Sequence, residues 1–226
     1  MLSRDEYLAE WSRWHGGTDP AASRLVRGWL SLAYATARPL RALPPLAATA
    51  LGLAVAVLAI LPAAAGGPWL IAAGLLVGLS GLLDSLDGAL AIATGRASAR
   101  GFVLDSAVDR LTEAAYAGAL WVAGAPGWLA AVDGALCWLP DDQRARAGQA
   151  GVRETGAVSV WERPTRIAMT GFTLGGAGVV SGLGAAAPVV TAGAVVGALL
   201  GAVAVGQLGV RLRRELRSVP APGPAA

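Results

Sequence analysis

Four aspartates, Asp84, Asp87, Asp105 and Asp109, stand in segments otherwise apolar enough to lie in a bilayer. In the stretch LDSLDGALAIATGRASARGFVLDSAVDR, from Leu83 to Arg110, Asp84, Asp87, Gly88 and Ala91 fall at i, i+3, i+4 and i+7, one face of an α-helix. Asp105 and Asp109 fall at i and i+4, one face of the next. The linker GRASARG is too short to separate two helices, so the spacing predicts a helical hairpin with both aspartate pairs near its turn. A carboxylate at the centre of a membrane helix costs about 2.5–3.5 kcal/mol, and four together also repel. Two divalent cations would offset both penalties, because hard oxygen ligands suit Mg²⁺ or Mn²⁺. The competing reading leaves the acids in the headgroup region, paired with Arg96, Arg100 and Arg110. Against it, a helix end has no need of four acids on two facing stripes.

The stretch resembles the motif of the CDP-alcohol phosphatidyltransferases, D-x2-D-G-x2-A-R-x8-G-x3-D-x3-D. It reads here as Asp84, Asp87, Gly88, Ala91, Gly101, Asp105 and Asp109 with every spacing kept. Ile92 stands where the family usually has Arg, and it cannot donate a hydrogen bond. The resemblance implies that Asp84, Asp87 and Asp105 hold two Mg²⁺ or Mn²⁺ ions and that Asp109 is the general base. It implies nucleotide binding along Gly88, Ala91 and Gly101, with Gly88 and Ala91 leaving room for the cytidine nucleotide.

The elements that position these residues are helices in a membrane. Of 226 residues 55% are hydrophobic and only 15% charged, which excludes an ordinary soluble domain and fits a polytopic membrane protein. Hydropathy predicts an all-α protein with six transmembrane helices near 45–63, 68–93, 101–123, 126–143, 166–184 and 187–209. Residues 1–43 read as a cytoplasmic N-terminal region and 44–210 as the membrane domain; 211–226 is a basic and then disordered tail. In the first region, Ser3 to Glu6 match a capping box. Asp19-Pro20 opens a basic amphipathic helix over 20–38 that lies on the membrane. The loops near 64–67, 124–126 and 185–187 carry no charge, while the arginines collect at the opposite ends. That bias predicts cytoplasmic termini in a bacterial plasma membrane, with the aspartates on the cytoplasmic side. The formal charge of +3 therefore reflects loop bias and not nucleic-acid binding. Gly193, Gly197 and Gly201 form a small-residue face for packing within a protomer or across a homodimer. The single cysteine, Cys137, reads as a packed core thiol and the single histidine, His15, as a bystander.

Arg144-Ala145-Arg146-Ala147 resembles part of the S-Y-x-R-A-R-A element of polyol-phosphate-transferring branches, with Asp141 and Asp142 replacing Ser and Tyr. Glu162 to Arg166 resembles their R-P-x-R element. Arg144, Arg146, Arg163 and Arg166 are then either topology determinants or the seat of an acceptor phosphate, and the two readings stand level. The expected reaction moves a phosphatidyl group from CDP-diacylglycerol, or a similar CDP-linked alcohol, to a small soluble alcohol, a polyol phosphate in the branches resembled. CMP leaves. Two rival readings remain. One is an ion or solute transporter that uses the intramembrane acids, Glu113 and Asp133 among them; the other is an inactive relative, motivated by Ile92.

Overall fold

A computed structural model of the chain describes residues 1–14, 19–22, 24–152 and 159–218. His15, Arg153 and the tail from Val219 lie outside the described residues. Nine α-helices run through them: α1 Arg4–Trp14, α2 Arg24–Ala37, α3 Pro45–Leu58, α4 Ile60–Ala65, α5 Trp69–Ala93, α6 Ala99–Val122, α7 Gly127–Gln149, α8 Arg163–Val179 and α9 Ala186–Glu215. Three stretches are long and apolar enough to cross a membrane: Pro45–Ala65, Trp69–Ala93 and Ala186–Glu215. The other three expected spans are helical too, as α6, α7 and α8, but they carry the ionisable residues described below.

The first expected span is broken at Ala59, between α3 and α4. Pro62 has no N–H to return to the preceding turn, so the helix restarts there. The fourth runs past its expected end, through Pro140 to Gln149. Its course past Pro140 places Asp141 and Arg144 together inside the protein. At the N-terminus Ser3 N donates to Glu6 Oε2 at 2.7 Å and Glu6 N to Ser3 Oγ at 3.4 Å, the reciprocal capping box the sequence predicted. Those bonds hold the Glu6 carboxyl below its ordinary pKa.

The core of the helical body gathers Ala56, Leu70, Val77, Tyr116, Leu129, Leu174 and Val190 from α3, α5, α6, α7, α8 and α9. A second cluster docks α1 and α2 on the end of α5, joining Tyr7, Leu30, Ala33 and Ala37 to Leu86, Leu90 and Ala93. Ile92 packs against this cluster, which gives the departure from the family pattern a structural use. Tyr34 Oη donates to Leu2 O, and Leu2 N donates to Ala93 O, both at 2.8 Å, fastening the N-terminus to the same helix end. Small residues set the helix spacing. A Cβ on Gly74 of α5 would lie 2.5 Å from Gly171 O and 2.8 Å from Gly175 N of α8. The α9 face is used within the protomer: Gly193 abuts Thr173, Gly197 abuts Asp133, and Gly201 abuts Leu136.

Candidate active site

The two motif helices meet at a short turn. Gly95 takes φ +69°, a left-handed conformation that side chains disfavour, and so reverses the chain just after α5. Ser98 then caps α6, its Oγ accepting from Gly101 N at 3.1 Å. Arg96 fixes this turn to the segment before α3, donating to Thr94 Oγ1 at 2.7 Å and Arg41 O at 2.5 Å. The expected hairpin is not packed along its length. α3 lies against both α5 and α6, so the motif helices diverge from the turn. Beneath the site Tyr116 Oη donates to Ser80 Oγ at 3.0 Å, and Ser80 Oγ to Gly52 O at 2.9 Å, tying α6, α5 and α3 together.

The turn brings the aspartates together. Asp84, Asp105 and Asp109 each offer a carboxylate oxygen, and all three oxygens lie within 4.8 Å of one another. Asp87 lies beside Asp105 but outside that trio; it is buried and accepts from Thr49 Oγ1 at 2.5 Å. The cation in this nest comes from α8. Arg163 Nη2 lies 2.7 Å from Asp84 Oδ1, and its Nη1 meets Asp109 Oδ2. Of the arginines named in the headgroup reading, Arg96 bonds to the turn and Arg110 pairs with Asp141 and Glu113, so neither forms an ion pair with the four aspartates. Four carboxylates against one guanidinium leave a strong negative excess. Asp105 Oδ1 and Asp109 Oδ1 are buried and have no hydrogen-bond partner. Orphaned buried oxygens in an acidic nest fit a hard divalent cation. Gly88 is exposed, with open space where a Cβ would stand, so this face of α5 is unobstructed beside the acids.

A second polar cluster lies next to the first. Arg166, 2% exposed, puts Nη1 2.6 Å from Glu113 Oε1 and 2.9 Å from Asp141 Oδ2. Arg110 Nη2 reaches the same Asp141 oxygen at 2.9 Å, and Arg144 Nη1 reaches Asp141 Oδ1 at 3.1 Å. Arg144 Nη2 also pairs with Glu162 Oε1 at 2.5 Å. Of the four arginines named from the sequence, then, Arg163 joins the aspartates while Arg144 and Arg166 surround Asp141. Arg146 points away, its side chain 70% exposed and 3.5 Å from Asp142. Glu113 pairs through Oε1 with Arg166 and lies 3.4 Å through Oε2 from Arg110, and Asp133 is buried against α9; Glu113 Oε2 and Asp133 Oδ1 both lack a hydrogen-bond partner among the described residues.

The sequence reading missed Thr49, Arg163 as partner of the aspartates, and the role of Asp141. Thr49 had one visible signal, a lone hydroxyl in the apolar run LAATALGLAV. It also missed an open groove between α5 and α8, with a volume of about 680 Å³. Its walls include Ile71, Leu75, Ile167 and Phe172, and its head is Asp84 and Arg163. Trp29 of α2 closes one side, donating from Nε1 to Ser85 Oγ at 2.9 Å.

The family model described as CDP-alcohol phosphatidyltransferase matches residues 43–139. The chain is 46% identical over 74 residues to the archaetidylinositol phosphate synthase of Aeropyrum pernix, covering 31% of this chain and 36% of that protein. Over 58 residues it is 43% identical to the archaetidylinositol phosphate synthase of Pyrococcus horikoshii, covering 26% of this chain and 31% of that one. The chain thus spans about a third of the length of these relatives in the matched regions. Its fold is similar to the crystal structure of Mycobacterium tuberculosis phosphatidylinositol phosphate synthase with CDP-DAG bound. There the TM-score is 0.63 at 27% identity, over 87% of this chain and 98% of that one.

Proposed function

We propose that the chain is a CDP-alcohol phosphatidyltransferase, the family whose model matches residues 43–139, and that it moves a phosphatidyl group from CDP-diacylglycerol to an alcohol, releasing CMP in phospholipid synthesis. The observation that carries the proposal is the junction of an acid nest with an apolar groove at Asp84 and Arg163. A diphosphate needs charge neutralisation, an acyl chain needs an apolar furrow, and a CDP-linked lipid needs the two side by side. The similar M. tuberculosis structure, which holds CDP-DAG, supports that choice of donor.

Asp84, Asp87 and Asp105 would hold two Mg²⁺ or Mn²⁺ ions, with Asp109 close enough to share in the site. When bound, such ions neutralise a diphosphate and the charge that grows on its leaving group. Arg163 contributes a fixed positive charge at the same place. Asp109 takes the proton from the acceptor hydroxyl. That oxygen bonds to the phosphorus carrying the lipid, the bond from this phosphorus to the CMP oxygen breaks, and CMP departs with the electron pair. Gly88, Ala91 and Gly101 line the approach of the cytidine nucleotide. The groove makes a specific demand on the donor: CDP-diacylglycerol should support turnover, and water-soluble CDP-glycerol should react at least tenfold more slowly at equal concentration. Equal rates for both would remove the groove from the account.

The body crosses the membrane six times, with both termini and the aspartates on the cytoplasmic side, and α2 lies along that surface. Several exposures support this arrangement. Val26, Trp29 and Leu32 of α2 are 38–49% exposed beside Arg24 and Arg27. Trp69, Trp121 and Trp128 are all more than 60% exposed at the far ends of their helices, where an aromatic belt would stand. Cysteines placed at Gly66 and Ala125 should take up an impermeant label from outside intact cells, and one at Ser98 only after permeabilisation. External labelling at Ser98 would reverse the orientation.

A further inference from the structure

We propose that Asp141 occupies the seat a phosphate on the acceptor would need, so that this chain's acceptor is an uncharged polyhydroxy alcohol; the inference rests on the transferase reading above. Guanidinium groups from three helices converge on this one carboxylate. Arg110 Nη2 of α6 and Arg166 Nη1 of α8 both lie 2.9 Å from Oδ2, and Arg144 Nη1 of α7 lies 3.1 Å from Oδ1. Converging guanidinium forks are how proteins bind phosphate. Here the oxyanion they hold is supplied by the chain itself.

Charge balance leads to the same conclusion. Arg110, Arg144 and Arg166 face Asp141, Glu113 and Glu162, three cations against three anions, and each arginine touches two of the acids. A phosphate monoester brings about −1.5 to −2 charges at neutral pH. It would have to evict Asp141 or sit against it. The remaining named arginine, Arg146, is exposed and held by Asp142 and Gln149.

The location fits an acceptor seat. Arg166 follows Arg163 by three residues on α8, and Arg110 follows Asp109 on α6, so the cluster borders the aspartates roughly one helical turn, ~5 Å, along. That is the reach of a small polyol whose reacting hydroxyl is at Asp109. Asp141 is about one-third exposed, and among the described residues its Oδ1 accepts one bond, from Arg144, so a second lone pair can take a hydroxyl of the acceptor.

The test compares matched acceptors in vesicles with CDP-diacylglycerol and Mg²⁺: inositol with inositol phosphate, and glycerol with glycerol phosphate. The measurement is kcat/KM for the wild type, Asp141→Ser and Asp141→Asn, with thermal unfolding confirming that each variant is folded. The wild type should prefer the unphosphorylated member of at least one pair. Asp141→Ser should shift that ratio toward the phosphorylated member by about ten- to a hundredfold, the equivalent of one charge-assisted bond. Wild-type preference for the phosphorylated member of both pairs overturns the proposal, as does a ratio that Asp141→Ser leaves unmoved. CMP release with no acceptor at all would instead sink the transferase reading. The seat is then judged by inorganic phosphate alone: it should raise the unfolding midpoint of Asp141→Ser and leave the wild type unchanged. Equal shifts in both proteins would overturn it.

Discussion

Asp109→Asn is expected to lower turnover by about 10²–10⁴-fold, the usual contribution of a positioned general base, while CDP-lipid and Mn²⁺ binding persist. Asp105→Asn should lose both turnover and Mn²⁺ binding, because it removes a charged ligand from a site that a neutral amide serves poorly. The contrast matters because geometry alone does not separate the two residues: both are on one face of α6, and both carry a buried, unpartnered Oδ1. Arg163 introduces the asymmetry, since its Nη1 meets Asp109 Oδ2. Mn²⁺ binding followed by electron paramagnetic resonance reads the difference directly. If the two variants lose Mn²⁺ equally, Asp109 is a fourth ligand and the base is some other group.

Gly74→Val should be the most damaging substitution outside the charged residues. The new Cβ would press on Gly171 O and Gly175 N, both backbone atoms of α8 that no rotamer change can move. Overpacking of this kind typically costs about 1–3 kcal/mol, and more when backbone has to move. Activity should fall as well, because α5 carries Asp84, α8 carries Arg163, and the groove runs between them. Gly148→Ala is the matched control: it is also helical, and nothing lies within 4 Å of the added carbon. The expected result is a lowered unfolding midpoint in detergent for Gly74→Val and a near-unchanged one for Gly148→Ala. Equal midpoints would mean that α5 and α8 are not packed this closely.

Much of this architecture is legible in the residues because its signals are local. The capping box at Ser3 and Glu6, the glycine-bearing turn after α5 and the aspartate spacing each depend on near neighbours in sequence. Six helical regions follow from runs of apolar residues. What could not be read depends on which distant surfaces meet. Arg163, Arg166 and Arg144 look alike as a basic loop, yet one joins the aspartates and two surround Asp141. Only the crossing of α6, α7 and α8 decides that. Ile92 looks like a lost hydrogen bond until α1 and α2 are seen packed beside it. Pro140 is a natural stop signal, but α7 runs through it, and the turns beyond carry Asp141 and Arg144 into the arginine–acid cluster.

The most direct test of the central claim, that the aspartate nest transfers a phosphatidyl group, is to count products. Purified protein in vesicles containing CDP-diacylglycerol, given Mg²⁺ and an alcohol acceptor, should form CMP and a new phospholipid in equal amounts. Both should vanish on chelation and in Asp105→Asn. CMP formed at the same rate by Asp105→Asn, or without any matching phospholipid, would contradict the account.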